Sequence, residues 1–330
     1  MNIRPLLWDA ARIGRKKALP ILSFPAAQKM GVSVEALVKS SELQAKAMEI
    51  IARETSTIAS VSLMDLSIEA EAFGAQVRFA ADEVPAIIGQ LISDEDDANA
   101  LEIPSLSAGR ASLCIEAVRK AKQRITDKPV LAGMIGPYSL AGRLMDVTEI
   151  MYLCFDEPET VHTVLDKATE YLIQYGQAMK DAGADGIMTA EPLAGILSPD
   201  MAVEFSMPYV KRIIESLQDD CFAVIYHNCG NSVPQMLESI YHLGAAAYHF
   251  GNAINLEAVL KVTPSDTLVM GNIDPAGQFA GGTIGSITEA THVLLERCGR
   301  YPNFIPSSGC DIPAHANWDN IQAFFKAVEG

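Results

Sequence analysis

Short, β-leaning apolar runs recur along the chain with helical patterns between them, and this alternation restricts the fold more than any other feature. The runs are LPILSF (19–24), IASVSLMD (58–65), PVLAGMIG (129–136), ADGIMTAE (184–191), FAVIYHN (222–228), AAAYHFG (245–251), TLVMGNI (267–273) and NFIPSSG (303–309). They read as near-continuous apolar stretches rather than alternating ones, as expected for parallel strands covered on both faces by helices. The segment between two of them, PETVHTVLDKATEYLIQYGQAMKDAGA (158–184), opens on proline and closes near glycine, the punctuation of a helix. Eight strand–helix repeats predict an α/β fold, a (β/α)8 TIM barrel, and the length suits it. Residues 66–128 are too long for one crossover, so a helical and hairpin insertion over the barrel mouth is expected between strands 2 and 3. An open doubly wound sheet is the competing architecture, but no Gly-rich phosphate fingerprint supports it. No low-complexity tract, repeat or Pro/Gly/Ser linker divides the chain, so residues 1–330 are expected to form one domain.

Composition removes several functions. A formal net charge of −16 gives no broad attraction to phosphate backbones, so no nucleic-acid partner is expected. No apolar run approaches the roughly 18–20 residues of a membrane helix, and the first twenty residues lack a signal-peptide pattern. A cytoplasmic protein without a membrane partner is the expectation. Six cysteines without a secretion signal read as free thiols rather than a disulfide framework. Cys114, Cys154, Cys221 and Cys298 have bland surroundings and are expected to be packing residues.

Cys229 and Cys310 keep different company. In FAVIYHNCGNS (222–232) a buried-strand pattern ends in His227 and Cys229, two positions apart, and an extended chain turns such residues to one face. The glycine-flanked Cys310 ends another strand, in SSGCDIP. Barrel active sites gather at the carboxyl ends of strands, so these three can converge. Two thiolates and an imidazole form a zinc set that leaves one position open. Glu191 closes the fourth strand and is a candidate fourth ligand or base; Asp65 closes the second. Tyr138 with Ser139, Arg143, His249, Asn252, Asn272 and Asp274 also follow strand ends and are expected around the same basin, Arg143 near an anionic substrate tail. His162, His242 and His292 fall in helical patterns, and His315 lacks partners at ligand spacing. Two soft anionic ligands weaken the Lewis acidity needed for hydrolysis but suit the activation of a substrate thiol. Alkyl transfer to sulfur is the expected reaction class.

MDLSIEAEAFGAQVRF, GPYSLAGRLM, YHNCGN, GNIDPAGQF and SSGCDIP resemble the uroporphyrinogen decarboxylase superfamily and, within it, its cobamide-dependent methyltransferases. The resemblance runs from about residue 3 to the end. It implies a barrel whose mouth receives a methyl-corrinoid (cobalamin) carrier protein, with zinc on His227, Cys229 and Cys310 binding an acceptor thiol such as coenzyme M. The chain has no D-x-H-x-x-G corrinoid pattern, so the carrier is expected to be a separate protein. Relatives that demethylate methoxylated aromatics hold zinc on two glutamates and a histidine; Glu191 and His227 match two of these, but the third falls at Ser206. Asp65 matches the region of the decarboxylase's catalytic aspartate. A cofactor-free decarboxylase is therefore the alternative, although PILSFPAAQKMGVS has none of the arginines that a polycarboxylate substrate needs. A non-catalytic, zinc-stabilised binding module is the other, and it requires a fourth fixed ligand.

Overall fold

The computed structural model describes residues 2–330. Its main sheet is parallel and seven-stranded, in the order β1 (Ser60–Val61), β4 (Val130–Ile135), β5 (Gly186–Ala190), β6 (Ala223–Asn228), β7 (Ala247–Phe250), β8 (Val269–Ile273), β9 (Phe304–Ser308). Each strand neighbours its successor in sequence, and helices connect them. The sheet curls, and seven of the eight runs read from sequence lie in it.

The first run, 19–24, is the exception. It makes no regular ladder, yet it lies where an eighth strand belongs. Leu19 N donates to Pro306 O of β9 at 3.1 Å, while Ala18 O accepts from Ile58 N just before β1 at 3.1 Å. Side chains complete the seam: Ser307 Oγ donates to Leu19 O at 2.7 Å, and Ile21 N donates to Ser308 Oγ at 3.0 Å. Prolines at 20 and 306 remove two ladder donors from this seam, which explains why hydroxyls stand in. The result is a TIM-barrel-like ring.

Between β1 and β4 lie a helix (Ile68–Ala72), an antiparallel pair β2 (Gln76–Arg78) and β3 (Ala86–Ile88), and two further helices (Glu95–Ala100 and Ala111–Arg124). No helix among the described residues is long and apolar enough to cross a membrane.

Alternation along the strands divides the core in two. Leu131, Met188, Ala190, Ile225, Ala247, Met270 and Ile305 form one buried cluster with Leu19, Ile21 and Val61, filling the ring. Their neighbours Val130, Ala132, Ile187, Val224, Tyr226, Tyr248, Val269 and Phe304 belong to the larger cluster between sheet and helices. This parity fixes which polar residues at the strand ends reach the interior.

Candidate metal centre

His227 continues the inward series Ala223, Ile225 of β6, and Cys229 follows at the same parity just past the strand. Cys310 arrives from the end of β9. His227, Cys229 and Cys310 each offer one ligand atom, all within 4.8 Å of one another. His227 Nε2 lies 3.5 Å from Cys310 Sγ. The imidazole is buried and both thiols are half-buried. The two thiols act as a pair: the neighbouring Cys310 holds Cys229 well below the usual thiol range, and Cys229 together with burial pushes Cys310 up. Thiols bind a cation as thiolates, so a metal entering here displaces thiol protons. Soft sulfur and borderline nitrogen at these separations fit zinc.

The residues behind His227 are equally ordered. Its Nδ1 lies 2.8 Å from His249 Nδ1 and 3.3 Å from the His249 carbonyl. The rings meet edge to face at 4.7 Å. His249 Nε2 in turn lies 2.7 Å from Ser307 Oγ. His249 is fully buried, and burial holds its pKa well below the usual imidazole range. It therefore touches the ligand histidine rather than open space at the mouth. Ser307 escaped the sequence reading, although its inward parity with Ile305 is the signal that finds it.

Glu191 stands elsewhere. Met188 and Ala190 point inward, so Glu191 at the end of β5 turns outward to the start of the helix Pro137–Met145. Its Oε1 accepts from Tyr138 N at 2.8 Å, and its Oε2 accepts from Ser139 N at 3.1 Å and from Ser139 Oγ at 2.8 Å. Proline at the first helical position leaves those two amides as the exposed donors, and the carboxyl from β5 caps them. Burial outweighs the three donors and raises the Glu191 pKa to about 7. Its oxygens lie outside the 4.8 Å cluster. The expected fourth ligand or base is, in this geometry, a helix cap.

Tyr138 likewise leaves the basin, because its hydroxyl reaches Met151 Sδ at 3.3 Å in the helix Val147–Asp156. Asp65 is fully buried and already paired. It accepts from Arg110 Nη1 at 2.5 Å and from Ser67 Oγ at 2.6 Å, and Arg110 Nε also donates to Glu71 at 2.6 Å. Arg110 was invisible from sequence because it lies 45 positions from its partner. Arg143 is half-buried, its Nε lacks a partner, and it feels the charges of Glu69 and Asp65. Glu69, also missed, is pushed up to about 7 by burial, with one oxygen unpaired.

The remaining expected substrate residues lie along a neighbouring cleft, with Asn252 packed against Gly309 beside Cys310. Asn252, Asn272 and Asp274 line a cleft of about 500 Å³ with Gln278, Leu294 and Arg297. Asn272 donates to the Gly251 and Ile254 carbonyls, and Asp274 caps Ala276 N and Gly277 N. Both side chains are thus occupied in holding loops. Ser206, at the position of the third ligand in the glutamate-type relatives, is buried with an unpaired hydroxyl.

Comparison with known proteins agrees with this architecture. The chain is 26% identical over 270 residues to the methylcobamide:CoM methyltransferase MtbA of Methanosarcina acetivorans, covering 80% of this chain and 77% of that one. It is 25% identical over 286 residues to the uroporphyrinogen decarboxylase of Hydrogenovibrio crunogenus, covering 82% and 78%. A solved methyltransferase from Methanosarcina mazei superposes with a TM-score of 0.89 at 22% identity, over 99% of this chain and 97% of the other. Two activities at nearly equal identity leave the choice between them to the chemistry of the site. The family model for uroporphyrinogen decarboxylase (URO-D) matches residues 16–330, and the chain belongs to that family.

Proposed function

We propose that this chain is a zinc-dependent methyltransferase that moves a methyl group between a methyl-corrinoid carrier protein and a small thiol such as coenzyme M. The observation that carries the reading is the cluster of two thiols and one imidazole at the carboxyl ends of β6 and β9. His227, Cys229 and Cys310 would hold the metal. Bound zinc would supply the positive charge that keeps a substrate thiol ionised at neutral pH. Three ligands leave a position for that thiol, whereas a purely structural site closes with four.

The protein's own groups have separate tasks. Cys229 and Cys310 would both ligate as thiolates, so filling the site releases thiol protons. Arg143, with its unpaired Nε, is the cation available to an anionic thiol tail. The β2–β3 pair and its flanking helices are the segment we assign to docking the carrier over the mouth. A cytoplasmic setting fits, since it keeps both thiols reduced. The decarboxylase reading has less support. Asp65 is engaged by Arg110 and Ser67, and residues 20–33 contain no arginine to receive a polycarboxylate.

The test is metal content and coordination. Wild type is expected to bind one zinc per chain, Cys310→Ala to lose it, and the zinc-edge X-ray absorption spectrum to gain a sulfur neighbour when coenzyme M or homocysteine is added. A protein that cannot be loaded, or whose metal ignores every thiol, would overturn the reading.

A further inference from the structure

The contacts behind His227 carry an inference that rests on the metal-site reading but is tested separately from it. Hydrogen-bond direction can be followed from one end of the chain of contacts to the other. Ser307 Oγ donates its single proton to Leu19 O at 2.7 Å, so it meets His249 with lone pairs only. At 2.7 Å from that oxygen, His249 Nε2 must be the donor. The ring nitrogens of His249 face Ser307 and His227, neither of them an anion, and the residue is fully buried, so the imidazole is neutral. Its Nδ1 is then an acceptor. Two lone pairs cannot face each other at 2.8 Å, so His227 Nδ1 carries a proton and donates it. The His249 carbonyl, 3.3 Å from the same nitrogen, is a second acceptor and demands the same assignment. The lone pair of His227 therefore lies on Nε2, the nitrogen that faces Cys310.

We propose that His249 and Ser307 are positioning residues that lock His227 in its Nδ1–H tautomer and aim its Nε2 lone pair at the two thiols. The main-chain carbonyl of Leu19 anchors the far end. The device is built from rigid parts, because His249 and Ser307 stand on strands and Leu19 belongs to the seam that closes the ring. A ligand histidine whose second nitrogen is held in this way is pre-set for metal, and removal of such an outer partner lowers affinity by about 10–100-fold. Serine at 307 matters for its direction: a hydroxyl that is already committed as a donor can only accept from His249.

The tautomer is read by 15N NMR of the metal-free protein. The expected result is a protonated Nδ1 and an unprotonated Nε2 on His227. An Nε2–H signal on His227 would overturn the proposal. Zinc affinity by chelator competition is the second readout. Ser307→Ala and His249→Leu are expected to lose about 10–100-fold, while Ser307→Thr, which restores the hydroxyl, retains wild-type affinity and tautomer. Ser307→Ala with unchanged affinity and unchanged 15N shifts also refutes the relay. A wild type that shows the Nδ1–H tautomer yet takes up no zinc supports the relay and removes the metal reading instead.

Discussion

Removing the Glu191 carboxyl separates a helix cap from a metal ligand, because the two roles respond to pH in opposite directions. In Glu191→Ala three donors lose their acceptor: Tyr138 N, Ser139 N and Ser139 Oγ. A buried donor left unsatisfied costs about 1–3 kcal/mol, and water admitted to the vacated space brings each towards the lower end, so the variant should be about 3 kcal/mol less stable at pH 4. Burial raises the pKa of this group from its ordinary 4.5 to about 7. Between those values the folded state holds a proton that the unfolded chain releases, so the contribution is fully present below pH 4.5 and is lost as pH rises through 7. That rise corresponds to about 3 kcal/mol, comparable to the cost of the orphaned donors. The stability gap between wild type and variant should therefore shrink towards zero by pH 8–9. Urea unfolding of both proteins at pH 4, 6 and 8.5, with zinc content recorded alongside, is the assay. A gap that widens with pH, or a variant as stable as wild type that has lost its zinc, would show that the ionised carboxylate binds a cation and that the cap argument is wrong.

Two further outcomes test the packing around the same mouth. A Cβ on Gly136 would lie 2.2 Å from Glu191 Cγ, with the backbone pinned by Gly136 N donating to Ala190 O at 2.7 Å. Gly136→Ala should cost about 1–3 kcal/mol by overpacking, and most of that should vanish in the Glu191→Ala background; strictly additive costs in chemical unfolding would contradict the contact. Arg110→Met strands the fully buried Asp65 carboxylate and should cost about 3–5 kcal/mol, whereas pairing it with Asp65→Leu should restore much of the loss; a harmless single variant would deny the ion pair.

Sequence periodicity carried the ring and the convergence of His227, Cys229 and Cys310 because both depend on local rules. An apolar run bounded by helix signals marks a parallel strand, and His227 with Cys229 needs only the two-residue repeat of extended chain. The misplacements share a cause: position at a strand end was read without parity. Ala190 is inward, so Glu191 had to point out, and the same count along β7 and β9 places His249 and Ser307 inside. Tyr138 follows the third strand but already belongs to a helix, whose packing against the next helix turns the ring away. Asp65 with Arg110 and His249 with Ser307 are partners from segments distant in sequence, joined only by tertiary packing. Periodicity within one segment has no access to such pairs. The run at 19–24 reads as a strand in the sequence, but Pro20 within it and Pro306 opposite leave it without a regular ladder.

That seam also sets an order of assembly. Leu19 accepts from Ser307, 288 positions later, and Ile21 donates to Ser308. During synthesis residues 19–24 leave the ribosome with their partner β9 still untranslated, so an incomplete ring exposes the edges of β1 and of the newest strand until β9 has emerged. Cys310 and Ser307 belong to that last-arriving strand and the residues just beyond it. The His227, Cys229 and Cys310 cluster, the contacts of His249 with Ser307 and the closure of the ring are therefore completed in one late event, and a nascent chain lacking it holds only His227 and Cys229 of the cluster.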